Sequence, residues 1–208
     1  MRQTIVFFDI DGVIFDAQKF FAGFCDKFVQ TNNLDKKERE KLKNLYEEVK
    51  EEKGFFDPEA FLAKISSQYS ITKEGLERLW WDEDSFGECL LIDENFLKQI
   101  QEKAVVGIFS KGEINFQKKK IEKFDNLINP EDIYIFEDKT VRISKVLARY
   151  RDYKIYVVDD NQKVLESFKQ IDKFVYTILI KRGRAGIVIN DINVVIESVL
   201  QLVPLLTQ

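Results

Sequence analysis

The 208-residue chain carries 36 acidic and 32 basic residues, a formal net charge of −4, 45% hydrophobic residues and no histidine. That length can bury a substantial core and suits one large domain or a domain with an insert. Acidic and basic residues are interleaved, which leaves no basic stripe for a nucleic-acid backbone, and the lack of histidine excludes a Ser-His-Asp triad, histidine-ligated zinc and imidazole bases.

The chain runs directly into a predicted strand with aspartates inside it, so neither a signal peptide nor a membrane span is expected there. Thr4-Ile5-Val6-Phe7-Phe8 is apolar and β-branched or aromatic, the pattern of a strand buried on both faces, and it ends in Asp9-Ile10-Asp11-Gly12-Val13. Strand alternation would put Asp9 and Asp11 on the same side, and Gly12 lets the backbone turn after them. Two like charges so close need a compensating cation, or one must keep its proton. Taken alone, the stretch also fits, less well, a strand end with two solvated aspartates and a turn glycine.

From Asp16 the period becomes helical for some eighty residues. Phe20, Phe21, Phe24, Cys25 and Phe28 fall on one face, and Leu42, Leu45, Tyr46 and Val49 on another, in a charged helix that stops at Gly54. Asp57-Pro58 is an N-cap followed by proline at the first helical position, opening a helix that buries Phe61, Leu62, Ile65 and Tyr69. Thr72 can cap the next, with Leu76, Leu79 and Trp80 inward. Phe15, Asp16 and Lys19 stand where this all-helical unit begins.

Asp93 opens a helix with Phe96, Leu97 and Ile100 buried, and Ala104 to Phe109 is a second buried strand ending in Ser110, Lys111 and Gly112. The lysine-rich helix that follows is expected to carry Ile114, Ile121 and Phe124 inward and to expose its lysines at 118 to 120. Asp132–Phe136 makes a third strand, with Lys139 just after it at the start of a helix buried through Ile143, Val146 and Leu147. Lys154–Val158 is a fourth, ending in Asp159 and Asp160, and its helix buries Val164, Leu165 and Phe168. Phe174–Ile180 is a fifth, followed by a basic turn of Lys181, Arg182 and Arg184 that a solvated surface or an anionic ligand would both suit. The apolar stretch from Val194 to Leu206 is too short to cross a bilayer and is expected to be a packed helix.

Strands alternating with helices predict an α/β fold: a three-layer, Rossmann-like, mainly parallel five-stranded sheet, with the helical segment as an insert. Residues 1–15 and 92–208 would form the core domain and 16–91 the helical domain. In such a sheet ligands bind outside the carboxyl ends of the strands, where Asp9, Asp11, Ser110, Asp159 and Asp160 all fall. Carboxylates with a lysine and a hydroxyl, and no imidazole or thiol, suit a hard cation, naturally Mg²⁺, together with substrate phosphate. One carboxylate can then act as nucleophile or acid-base catalyst, while Ser110 and Lys139 bind phosphoryl oxygens. Singly, Ser110 could be a turn hydroxyl, Asp159 and Asp160 a helix cap, and Lys139 a surface lysine. Cys25 and Cys89 lack metal or redox spacing and are expected to be thiols in a reducing, cytoplasmic compartment.

This four-part pattern resembles the haloacid dehalogenase superfamily over nearly the whole chain: Asp9-Ile10-Asp11-Gly12-Val13 as its first motif, Ser110 as its second, Lys139 as its third and Asp159-Asp160 as its fourth. The segment from about Phe15 to Leu91 is similar to the cap that many members insert after the first strand. The resemblance implies that Asp9 attacks phosphorus and that Asp11 protonates the leaving oxygen and then activates water. It implies Mg²⁺ held by Asp9, the Asp11 carbonyl and Asp160, with Asp159 as a further ligand or support. An acid at Asp11 implies a phosphatase or phosphomutase, since the dehalogenase and transport-ATPase branches lack one there. The family's usual lysine-proline pair is absent, and Lys139 is preferred to Lys145 because a helix start can face the site. Gly12 and the backbone N–H groups of Lys111 and Gly112 are candidates for holding phosphate. A small phosphorylated metabolite is the expected substrate, with no nucleic acid or membrane as partner. A phosphomutase and a non-catalytic phosphoryl-accepting module remain open.

Overall fold

The computed structural model describes residues 2–181 and 192–207. Thr4–Phe8 forms β1 near the middle of a parallel sheet, flanked by β2 (Val105–Lys111) and β4 (Lys154–Asp159). Outside these lie β3 (Ile133–Phe136) on one side and β5 (Tyr176–Ile180) and β6 (Val194–Ile196) on the other, giving the order β3-β2-β1-β4-β5-β6. Alternate side chains of β1 enter different layers: Ile5 and Phe7 pack with Phe109, Val157 and Phe168, whereas Val6 and Phe8 pack with Ile108, Val158 and Ile178. Burial on both faces is why the strand reads as a continuous apolar run.

The described residues hold six strands where the sequence predicts five. Val194–Ile196 was expected in a helix; it is instead an edge strand on β5, because three consecutive β-branched residues fit a pleated surface better than a helical turn. The rest of that stretch, Val199–Thr207, is a 3₁₀ helix with Pro204 inside it. Arg182 and Arg184 lie outside the described residues.

Between β1 and β2 stand α1 (Ala17–Thr31), α2 (Glu38–Lys53), α3 (Pro58–Tyr69), α4 (Lys73–Trp80) and α5 (Glu83–Glu88). Asp16, Asp57 and Thr72 each accept a backbone N–H at their helix starts, and Gly54 ends α2 in the left-handed region. The short α5, capped by Asp82, is not anticipated by periodicity. Trp80 sits in an aromatic cluster with Phe20, Phe24 and Phe61, their centroids 4.8–5.6 Å from it. Its ring also lies 5.5 Å from Phe116, which belongs to α7 (Ile114–Ile121) after β2, so the helical insert rests on that helix.

The inward face of α7 departs from expectation. Ile121 and Phe124 are buried as expected, but Ile114 is exposed, and Phe116, Gln117 and Lys120 are buried beside them. Lys118 is exposed as expected, but Lys120 is not. The remaining helices, α6 (Glu94–Gln101), α8 (Ile143–Arg149) and α9 (Gln162–Ile171), bury the predicted residues. No described helix is long and apolar enough to cross a membrane.

Candidate active site

The sheet order reverses between β1 and β4, and the crevice beyond their carboxyl ends is where ligands bind in open parallel sheets. Asp9 leaves β1 there, held by its own N–H donating to the Val158 carbonyl at 2.9 Å. Its Oδ1 accepts from the Ile10 N–H at 2.7 Å and from the Ser110 hydroxyl at 2.6 Å, and its Oδ2 accepts from Lys139 Nζ at 2.7 Å. Lys139 also donates to Asp159 Oδ2 at 2.6 Å, while the other oxygen of Asp159 accepts from the Asn161 N–H at 2.8 Å. The structure thus brings together Asp9, Ser110, Lys139 and Asp159, all buried, from the ends of four strands. Lys145, by contrast, is exposed on α8.

Lys139 ends the loop after β3 and precedes a 3₁₀ turn, Thr140–Arg142, which returns the chain to α8. Burial alone would pull its pKa down; the charges of Asp9 and Asp159 outweigh that and hold the ammonium above the ordinary lysine value. Burial pushes the carboxyl of Asp159 up, helped by the charge of Asp9 and opposed by Lys139. Asp160 is raised to about 6, chiefly by burial and then by Asp9. Neither aspartate is the side-chain cap of α9: that role belongs to Asn161, which accepts from the Lys163 N–H.

Ligand oxygens of Asp9, Asp159 and Asp160 lie within 4.8 Å of one another. The ammonium of Lys139 pairs with Asp9 and Asp159, and Asp160, raised chiefly by burial, carries the charge of Asp9 as a second cause. A donor set of carboxylate oxygens with uncompensated charge fits a hard divalent cation such as Mg²⁺. Gly12 makes room for the Asp160 side chain: with φ of +77° it turns the chain back, and a Cβ at that position would stand 2.2 Å from Asp160 Oδ2.

Asp11 is not placed by strand alternation, as the sequence suggests. β1 stops at Phe8, and Asp11 sits in a tight turn in which the Ile10 carbonyl accepts from the N–H groups of Ile14 and Phe15, each at 2.9 Å. Its carboxylate shares no donor with Asp9. Lys120 Nζ reaches its two oxygens at 2.7 and 2.8 Å, and Gln117 Nε2 donates to Oδ2 at 2.8 Å. Burial lowers the Lys120 pKa and the pairing with Asp11 opposes the shift. Sequence reasoning missed Gln117 and Lys120, although positions 116, 117, 120, 121 and 124 follow one helical face, and the apolar Phe116, Ile121 and Phe124 on it would have flagged the lysine.

Of the candidates for phosphate binding, Gly12 already donates its N–H to the Phe15 carbonyl at 2.8 Å. The Gly112 N–H already donates to the Phe136 carbonyl at 3.0 Å, and the Lys111 carbonyl accepts from Gln117 Nε2 at 3.0 Å. Gly112 also shapes the loop: a Cβ there would meet Gln117 Nε2 at 2.5 Å. Of the residues where the insert begins, Phe15 is fully buried, Asp16 caps α1, and Lys19 donates to the Glu88 carbonyl at 2.6 Å.

No family model matches the chain, and no curated protein matches it in sequence. Solved structures do. A haloacid dehalogenase-like hydrolase of Burkholderia xenovorans superposes with a TM-score of 0.76 at 16% identity, over 98% of each chain. The HAD-hydrolase YfnB of Bacillus subtilis, a magnesium-bound structure, superposes with a TM-score of 0.66 at 15% identity over 100% of both chains. The defluorinating L-2-haloacid dehalogenase Rha0230 does so at 0.68 and 12%, over 99% of this chain and 96% of its own. The chain therefore has the haloacid dehalogenase-like fold.

Proposed function

We propose that the chain is a Mg²⁺-dependent phosphomonoester hydrolase that turns over a small phosphorylated metabolite through an aspartyl phosphate on Asp9. The observation that carries this reading is the division of labour between the two carboxylates of the first loop. Asp9 is fixed by Ser110 and Lys139, while Asp11, two residues on, is held by a separate set of donors. A halide leaves as an anion and needs no proton; an alkoxide leaving from phosphorus does. A second carboxylate beside the nucleophile therefore favours oxygen esters over haloacids, although dehalogenases share the fold.

In this reading Asp11, ion-paired with Lys120 in the free protein, takes up a proton as substrate binds; an Asp9 oxygen then attacks phosphorus, forming one P–O bond as the ester P–O bond breaks, and Asp11 delivers that proton to the departing oxygen. Asp11, now a carboxylate, takes a proton from water as that water attacks the phosphoryl group, which releases inorganic phosphate and restores Asp9. Oδ2 of Asp9, with Lys139 as its donor, retains lone-pair capacity for the first step. Ser110 orients Asp9 through its single hydroxyl hydrogen, and Lys139, with one N–H beyond those given to Asp9 and Asp159, offers its ammonium to a phosphoryl oxygen, the positioning and charge stabilisation on which phosphoryl transfer depends. Asp9, Asp160 and the Asp11 carbonyl would hold Mg²⁺, with Asp159 in support, and the bound ion supplies positive charge against the phosphoryl oxygens. The helical insert, resting on α7 through Trp80 and Phe116, acts as a cap that excludes water and selects the leaving group. Buried free thiols at Cys25 and Cys89 suit a reducing, cytoplasmic setting.

Phosphate release from an aryl phosphate and a panel of phosphorylated metabolites, with Mg²⁺ or with chelator, tests the reading. Turnover should require the metal and vanish in Asp9→Asn. Full activity in that variant would overturn the mechanism, isomerised sugar phosphate without free phosphate would make the chain a mutase, and chloride release from chloroacetate would make it a dehalogenase.

A further inference from the structure

Lys120 is an unusual residue to find inside a helix–sheet interface. Its side chain is 2% exposed, with Nζ 4.0 Å from the Phe116 ring centroid and 5.4 Å from that of Phe15, and its ammonium meets both oxygens of Asp11. An aliphatic residue would fill that space without the cost of burying a charge. The lysine is retained against that cost where its one carboxylate partner is the candidate acid-base group.

Gln117, one turn earlier on α7, completes the arrangement. Its amide nitrogen donates to Asp11 Oδ2 at 2.8 Å and to the Lys111 carbonyl at 3.0 Å, and its amide oxygen accepts from Lys120 Nζ at 3.4 Å. The two acceptors on one side fix which way the amide faces, since the flipped orientation would set oxygen against oxygen. The loop after Ser110 is built around this side chain: Gly112, with φ of +149°, leaves the volume that Gln117 Nε2 occupies. One glutamine thus ties Asp11 to the backbone just beyond Ser110, whose hydroxyl holds Asp9. The two carboxylates lie at the ends of one rigid chain of contacts running through β2 and α7.

We propose that Lys120 and Gln117 are positioning residues that fix the Asp11 carboxylate relative to Asp9, and that they determine how well the protein handles esters with poor leaving groups. The inference rests on the hydrolase reading above. Asp11 lies in a turn that strand pairing does not immobilise, and neither of its oxygens is engaged by the donors that hold Asp9. Without the two α7 side chains its carboxylate would sample several rotamers, and proton delivery needs hydrogen-bond distance to the leaving oxygen. An aryl oxide leaves with little help, whereas an alkoxide depends on the proton.

Lys120→Met tests this, because methionine keeps the length and the apolar contacts to Phe15 and Phe116 while removing the donors. With Mg²⁺, kcat on an alkyl phosphate such as glycerol phosphate should fall roughly 10- to 100-fold, within the range that acid-base catalysis supplies, while kcat on nitrophenyl phosphate falls less than about 3-fold and KM stays unchanged on both. In an Asp11→Asn background the same substitution should cause no further loss on whichever ester the wild type turns over. Gln117→Leu, which keeps the ion pair, should show the same pattern with smaller losses, and it carries the test if Lys120→Met does not fold. Equal losses on both esters, or an undiminished loss in the Asp11→Asn background, would overturn the assignment while leaving the hydrolase reading standing. A wild-type protein inactive on every phosphate ester would overturn both.

Discussion

Gly12 and Asp160 are packed so closely that a methyl group on the glycine would stand 2.2 Å from the aspartate's Oδ2. The contact joins the turn after β1 to the end of β4. Gly12→Ala should therefore displace Asp160 and also strain a backbone with φ of +77°, a conformation that costs an alanine about 1–2 kcal/mol. The expected result is a lower melting temperature together with Mg²⁺ dependence shifted to higher concentrations, read by thermal denaturation and by metal titration of phosphatase activity. Wild-type metal dependence in a stable Gly12→Ala protein would show that Asp160 is not a ligand.

Asp160→Asn should separate stability from function. The carboxylate is destabilised by burial and by the charge of Asp9, so removing its charge should raise the melting temperature in chelator at pH 7.5. If Asp160 is the Mg²⁺ ligand proposed above, Mg²⁺ should raise the melting temperature of the wild type and not that of the variant. A variant less stable than wild type without metal would contradict the charge balance described for the site.

The pH dependence follows from the same group. Asp160 has a carboxyl raised from 3.8 to about 6 in the folded chain, so between those values the folded state binds more protons than the unfolded state. Stability without metal should then fall as pH rises from 4 towards 7, and the wild-type minus Asp160→Asn difference in melting temperature isolates this contribution. With Mg²⁺ the trend should reverse, because protons and metal compete for the carboxylate. Parallel curves for the two proteins in chelator would refute the shift.

Lys139 and Lys145 are six residues apart and should behave oppositely. Removing Lys139 leaves Asp9 and Asp159 buried without their cation, a loss of about 3–5 kcal/mol when one partner of a buried pair is deleted, so Lys139→Met should melt earlier in chelator and lose activity. Lys145→Ala, on an exposed face, should change stability by less than about 0.5 kcal/mol and leave turnover intact. Activity that survives the first substitution and fails with the second would exchange their roles.

Cys25 should be inert until the chain unfolds. Burial, aided by the charge of Asp26 and opposed by Arg39, pushes its thiol from 9.0 up to about 12, so almost no thiolate exists in the folded protein at pH 8. Because the folded pKa is the higher one, the stabilisation linked to this thiol is present below about pH 9 and is lost as pH climbs towards 12. Reaction with a disulfide reagent at pH 8 should be slow at Cys25 in the native protein and fast in denaturant; rapid native labelling would contradict its burial.

The sequence by itself placed five of the six described strands, the helix starts at Asp57, Thr72 and Asp93, and the gathering of Asp9, Ser110, Lys139, Asp159 and Asp160 at the carboxyl ends of the strands. These features depend on short-range physics: strand periodicity, side-chain caps, and the rule that parallel strands point their carboxyl ends the same way. The edge strand at Val194–Ile196 was not legible, since three β-branched residues before an apolar run fit either a strand or a helix until β5 is there to pair with. Nor was the setting of Asp11. A lysine among lysines reads as solvated surface, and only tertiary packing, which turns Lys120 inward between Phe15 and Phe116, could deliver an ammonium and an amide from α7 to a carboxylate more than a hundred residues earlier. Which groups can donate at a strand end is written in local sequence; which carboxylate each one serves is decided by how helix and sheet meet.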